Sequence, residues 1–188
     1  MNFEQIDGYF LFVQGIKLVN PFEPKVAIDK LRASFPRVEI QFLRADMIAG
    51  IEHIRFATKN AISAFNGPRR KTKSLAVELL LYISCQRQIS KAISILGIRS
   101  NDPDIVLIGL AHAVEDLEKL SSAIRSVFDG EMDDTVLEPR SASKRQQLMR
   151  VYGVTEKELD AAKELVNDEV EALKRLVIER SALLSFEG

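Results

Sequence analysis

From Tyr9 to Val19 the chain is apolar at nearly every position, which predicts a strand buried on both faces. Asn20-Pro21 and Glu23-Pro24 interrupt it. Pro24 suits the first turn of a helix on which Ile28, Leu31 and Phe35 recur at helical spacing. Phe35-Pro36 ends that helix, because the residue before a proline is pushed out of the helical region. Val38 to Phe42 alternates strictly between apolar and polar, the pattern of a strand with one wet face.

Asp46 is a candidate N-cap for a long helix. Ile48, Ile51, Ile54, Ala61 and Phe65 mark one side of it, and Glu52, Arg55 and Lys59 the other. Asn66-Gly67-Pro68 stops it. Ser74 is the expected cap of a second long helix running to about Leu96, with Gly97 as its stop. The first half of this helix is apolar all round, which predicts a central, buried position. Asp104 to Leu110 reads as another continuous apolar strand, and Leu117, Leu120, Ile124 and Val127 mark a helix ending near Phe128.

Asp129-Gly130 opens an acidic connector to Glu138-Pro139, and the remainder is helical. Ser143 to Tyr152 forms one helix with a stop at Gly153. Thr155-Glu156-Lys157-Glu158 then reads as a capping box for a last helix carrying Leu159, Ala162, Val166, Val170, Leu173 and Val177. These elements predict an α+β fold: a small mixed or antiparallel sheet of three to four strands covered by helices. Without repeats or a dividing linker, residues 1–188 are expected to form a single compact domain with a helical C-terminus from about residue 153 on.

Composition narrows the functional classes. The net charge of -1 gives no global attraction to polyanions, so affinity for nucleic acid requires a local cluster. Cys85, the only cysteine, cannot form an internal disulfide. Met1-Asn2-Phe3-Glu4-Gln5 lacks the features of a signal peptide, and no apolar run reaches the roughly 20 residues that span a bilayer. A cytoplasmic protein with no membrane partner is expected.

Catalytic chemistry is sparse. None of the nine glycines falls in a phosphate-binding turn. His53 and His112 lack ligand spacing and read as ordinary helix-surface or helix-end residues. Cys85 lies inside an apolar helix as a small hydrophobe, with no base to activate it. Asp129, Glu131, Asp133, Asp134 and Glu138 lack the pattern of a calcium loop and read as solvated. A metal-dependent enzyme built on them is the alternative, which flat titrations with magnesium, calcium and manganese would dismiss. The expectation is a protein with no cofactor and no catalysis.

Two features rise above this background. Arg69-Arg70-Lys71-Thr72-Lys73-Ser74 is a basic connector leading into a helix N-terminus, where backbone donors and the macrodipole favour an anion. A solvated loop is the plain alternative. The second feature is the central helix. Glu78 stands in its apolar half and needs a partner from a helix N-terminus or another element, since at 100° per residue Arg87 points away from it. Gln86, Arg87 and Gln88 radiate in three directions, while Arg87 shares its side with Ser84 and Lys91.

Leu43-Arg44-Ala45-Asp46, Ser74-Leu75-Ala76-Val77-Glu78, Cys85-Gln86-Arg87-Gln88-Ile89-Ser90-Lys91-Ala92-Ile93 and Glu131-Met132-Asp133-Asp134-Thr135-Val136-Leu137-Glu138 carry a resemblance. In order from about Tyr9 to Val151, and weakly near Glu179 to Leu184, the chain resembles the small kinase-binding subunit of the KEOPS complex, the PRPK-binding protein family. The resemblance implies a non-catalytic subunit. It would dock on a small atypical protein kinase, in a complex that makes threonylcarbamoyladenosine on tRNA. Archaeal relatives also grip the single-stranded 3′ CCA end of tRNA.

By that resemblance the RNA-binding residues are Arg55, Lys59, Arg69, Arg70, Lys71, Lys73, Gln86, Arg87, Gln88 and Lys91. The family often has glycine where Cys85 stands, so close approach of an RNA backbone is harder here. The charged helix from Thr155 to Asn167 is longer than the usual pattern. No aromatic interleaves the basic residues, so base stacking must use arginine planes or an aromatic supplied by the fold. The alternative is a kinase-docking regulatory subunit with no direct RNA contact.

Overall fold

The structure is a computed structural model describing residues 3–68 and 70–184. In chain order its first elements are β1 (Glu4–Ile6), β2 (Tyr9–Leu18), α1 (Pro24–Ser34), β3 (Glu39–Arg44), α2 (Ile51–Asn66) and α3 (Leu75–Ser84). There follow α4 (Ile89–Leu96), β4 (Asp104–Ala111), α5 (Val114–Val127), β5 (Gly130–Met132), α6 (Ala142–Tyr152), α7 (Glu156–Val166) and α8 (Glu169–Leu183). The fold is α+β, with an antiparallel sheet ordered β1-β2-β4-β3 and β5 added against β2. The described residues divide into two compact units, one within Met1–Ala45 and Gly97–Val136 and the other within Asp46–Leu96 and Leu137–Gly188.

The first unit holds the sheet. The three apolar strands expected from the sequence are β2, β3 and β4; β1 and β5 are three-residue additions too short to leave a pattern. Phe12, Ile16, Ile40, Phe42, Ile105 and Leu107 point to one face, where Leu31 of α1 and Leu117, Leu120 and Ile124 of α5 cover them. Pro24 does start α1. The acidic connector is not a solvated loop throughout. Asp133 N–H donates to Gly15 O at 3.0 Å, and Asp134 Oδ1 accepts from Gly15 N–H at 2.8 Å. Gly15 permits this approach, because a Cβ there would lie 2.4 Å from Asp133 O.

The second unit is helical and carries every candidate RNA-binding residue that the structure describes. Here α2 and α3 form an antiparallel hairpin, and α8 packs on both. Leu75, Leu79, Leu80, Leu81 and Ile83 are all buried, as an apolar α3 requires. Burial of each such side chain contributes about 1.5–3 kcal/mol.

Three helix boundaries depart from the sequence pattern. Asp46 does not cap α2: residues Ala45–Met47 form a 3-10 turn, and α2 starts after Gly50. Gly50 has φ 86°, which breaks the helical path, and Lys174 crowds the place a Cβ would occupy. The second long helix is two helices, because Cys85 adopts the left-handed region at φ 54° and closes α3. The last helix is also two. Asn167 turns left-handed at φ 55°, and Asp168 caps α8 by accepting from Glu171 N–H at 2.8 Å. The Thr155–Glu158 capping box is present as expected, and Gly153 ends α6 at φ 65°.

Candidate nucleic-acid interface

The basic connector joins α2 to α3 and is a shaped loop. Glu78, fully buried in the first turn of α3, reaches back to it. Its Oε2 accepts from Thr72 N–H at 3.0 Å and from Lys71 N–H at 3.3 Å. The partner of this carboxylate is therefore the backbone of the basic connector, with the helix dipole adding to the effect. Its Oε1 has no hydrogen-bond partner among the described residues. Thr72 is buried, and its hydroxyl donates to Ser74 O at 2.7 Å. Ser74 precedes α3 without a side-chain cap bond to it.

Arg70, Lys71 and Lys73 stand exposed around the buried Thr72, while Arg69 lies outside the described residues. The Arg70 guanidinium sits 3.9 Å over the Phe65 ring. Its Nε donates to Thr72 O at 2.7 Å and its Nη2 to Lys73 O at 3.2 Å. Phe65 is the aromatic that the fold supplies to the basic cluster. It lies at the end of α2, where helical periodicity marks it only as a core position.

The second group of candidates follows the break at Cys85. Gln86 is half-buried with Nε2 donating to Ser84 O at 3.4 Å, whereas Arg87, Gln88 and Lys91 are exposed. The break removes the continuous helix on which the angular comparison of Glu78 with Arg87 rested. Ser84 does not share a surface with Arg87 and Lys91: it is fully buried, its hydroxyl donating to Leu81 O at 3.1 Å. On α2, Arg55 is half-buried and paired with Glu52, and Lys59 is exposed.

The candidates thus fall into two groups. Arg70, Lys71 and Lys73 precede α3, and Gln86 to Lys91 follow it, separated by a helix of ten residues or about 15 Å. Arg55 lies toward the Cys85 end of the hairpin, since its neighbour His53 touches Ile83.

His53 is not a surface residue. It is fully buried, with Nδ1 accepting from Ala49 N–H at 3.3 Å and Nε2 donating to Ile83 O at 3.0 Å. Burial lowers its pKa to about 4, assisted by the Lys144 charge and opposed by the bond to Ile83. Cys85 terminates a helix rather than lying inside one, and burial pushes its thiol up to about 12, far from a reactive thiolate. His112 is exposed, bonded through Nδ1 to Gly8 O at 2.9 Å. Of the acidic connector, Glu138 pairs with Lys174, and Asp129 accepts from Asn20. Among the described residues no group of three or more His, Cys, Asp or Glu side chains could hold a metal ion. No helix of the described residues is long and apolar enough to cross a membrane.

A family model described as kinase binding protein CGI-121 matches residues 23–185. The chain belongs to that family. The CGI-121 match encloses both groups of candidate residues and the whole α2–α3 hairpin. Within the family, the regulatory protein Cgi121 of Methanocaldococcus jannaschii is 31% identical over 118 residues, covering 62% of this chain and 73% of that protein. The KEOPS complex subunit Cgi121 of Pyrococcus abyssi is 33% identical over 73 residues, 39% of this chain and 43% of that subunit.

Proposed function

We propose that this CGI-121 family member is a non-catalytic regulatory subunit of a KEOPS complex, which binds the small atypical kinase of that complex and recruits tRNA through its 3′ CCA end. Family membership over residues 23–185 supports the kinase-binding role, and the Pyrococcus abyssi relative is named as a KEOPS subunit. The observation that carries the RNA role is the connector. A buried carboxylate holds its backbone while Arg70, Lys71 and Lys73 stay exposed. Cations on a fixed loop can meet a nucleic acid without first having to order the chain. With Arg87, Gln88 and Lys91 beyond α3, they offer a short single strand two points of contact about 15 Å apart.

The test is binding to intact tRNA and to tRNA trimmed of CCA. Salt-dependent binding that drops at least tenfold on trimming is expected, and equal affinity for both rejects end recognition. A second reading, kinase docking without RNA contact, draws on Ile89 and Ile93, which are 44% and 53% exposed on one side of α4. Under that reading, glutamate at Arg70 and Lys73 leaves tRNA modification by the assembled complex unchanged. A large loss excludes it.

A further inference from the structure

We propose that Arg70 serves as a stacking shelf for an unpaired nucleobase rather than as a phosphate clamp, with Glu78 as the residue that positions it. The inference rests on the RNA-binding reading above and specifies what one of its cations recognises.

A guanidinium grips phosphate best through a pair of parallel N–H donors. Here Nε and Nη2, which form one such pair, already donate to Thr72 O and Lys73 O of the same loop. The guanidinium carbon sits 3.9 Å over the Phe65 ring. Two hydrogen bonds and a ring contact hold the plane in one orientation, yet the residue remains exposed. What these contacts leave to a ligand is the side away from Phe65 and the outer Nη1 edge, which donates to none of the described residues. A weakly hydrated planar cation backed by an aromatic ring is a good platform for a nucleobase, and Nη1 stays available to a base acceptor.

The two carbonyls that orient Arg70 are themselves fixed. Thr72 is tied at its amide to Glu78 Oε2 and at its hydroxyl to Ser74 O, and the Lys71 amide joins the same carboxylate. The order of support runs from the buried Glu78 carboxylate to the loop backbone, then to the guanidinium plane and its open face. Lys71 and Lys73, exposed on either side of Thr72, supply the phosphate attraction that Arg70 does not. A loop staple with no ligand would need the same internal bonds, so the test must separate planarity from charge.

Arg70→Lys keeps the charge and loses the plane. Its affinity is measured for a full-length tRNA ending in CCA and for the same tRNA with abasic ribose in place of the three terminal bases. The variant is expected to bind the intact tRNA about tenfold more weakly than the parent chain, with an unchanged salt slope, and the abasic tRNA equally well. Phe65→Leu, which removes the ring beneath, is expected to show the same selective loss. Glu78→Gln tests positioning: faster amide exchange at Lys71 and Thr72 is expected, together with a loss confined to the base-bearing end. Unchanged exchange overturns the role of Glu78. Parental affinity of Arg70→Lys for intact tRNA, or an equal loss on both tRNAs, overturns the shelf. If the parent chain binds CCA-bearing and trimmed tRNA alike, the end-recognition reading fails and this inference falls with it. If the parent distinguishes them and Arg70→Lys matches the parent, only the shelf fails.

Discussion

At its N-terminal end α3 meets a loop of cations through one carboxylate, whereas at its C-terminal end it meets neutral donors from three other helices. The first end is tied by Glu78 to Lys71 and Thr72. At the second, His53 of α2 donates to Ile83 O, and Ser181 of α8 donates to Tyr82 O at 3.0 Å. The Tyr152 hydroxyl of α6 is within hydrogen-bond reach of Met47 O at 2.8 Å and Ile83 O at 3.1 Å. A helix end leaves carbonyls without partners, and a buried end must find them in side chains. The C-terminal end therefore anchors the helix in the core of its unit. The N-terminal end uses its anchor to shape something outside the core. Both groups of exposed candidates flank a helix that is itself immobilised, so two loops at the ends of one rigid rod keep a fixed separation.

Acidification should break the C-terminal anchor most strongly. His53 ordinarily titrates at 6.5 but at about 4 in the fold. Between those values the unfolded chain binds a proton that the native chain refuses, so stability falls as the pH drops through the window. The loss should approach about 3 kcal/mol by pH 4, measured by urea unfolding at a series of pH values. A flat profile from pH 7 to 5 would show that His53 does not stay neutral. Glu158, lowered from 4.5 to about 2 by its bonds to Thr155 and Arg180, adds its own loss only below pH 4.5. The upper part of the window thus reports His53.

Breaking the N-terminal anchor should cost less. Glu78→Ala leaves two amides of a surface loop without their acceptor, and a loss of about 2 kcal/mol is expected in urea unfolding. Amide exchange at Lys71 and Thr72 should rise together with it. A loss below about 0.5 kcal/mol would mean that the loop is held by other means. The smallest effect is expected between the anchors and the second loop. Cys85→Gly removes the penalty of a side chain at φ 54° but loosens the unfolded chain, for a net gain of up to about 1 kcal/mol. A clear destabilisation would show that packing of the Cys85 side chain outweighs its backbone strain. The same left-handed turn gives a physical reason for glycine at this position in the resembling family.

The candidate site was legible in the sequence as composition and only partly as geometry. The connector 69–74 and the turn after Cys85 stand out because charge and polarity there break an apolar pattern. What each residue touches was not legible. Phe65 reads as one more apolar helix position, yet it carries Arg70. Ser84 reads as a polar neighbour of Arg87, yet it is buried. His53 reads as a surface residue, because a single histidine on a helix announces nothing of the carbonyl thirty positions later that accepts its hydrogen bond.

The amino-acid sequence alone determined the elements whose causes are local: the start of α1 at Pro24, the Thr155–Glu158 box, the stop at Gly153, and the apolar runs of β2 and β4. Steric limits on proline and glycine, and bonds between residues three apart, act without the rest of the chain. Tertiary structure decided the left-handed turns at Cys85 and Asn167, the partner of Glu78, the burial of His53 and the seat of Arg70. Each is a choice among distant or competing partners. Packing makes that choice by burying apolar surface and satisfying the polar groups trapped with it, and no one-dimensional pattern records the outcome.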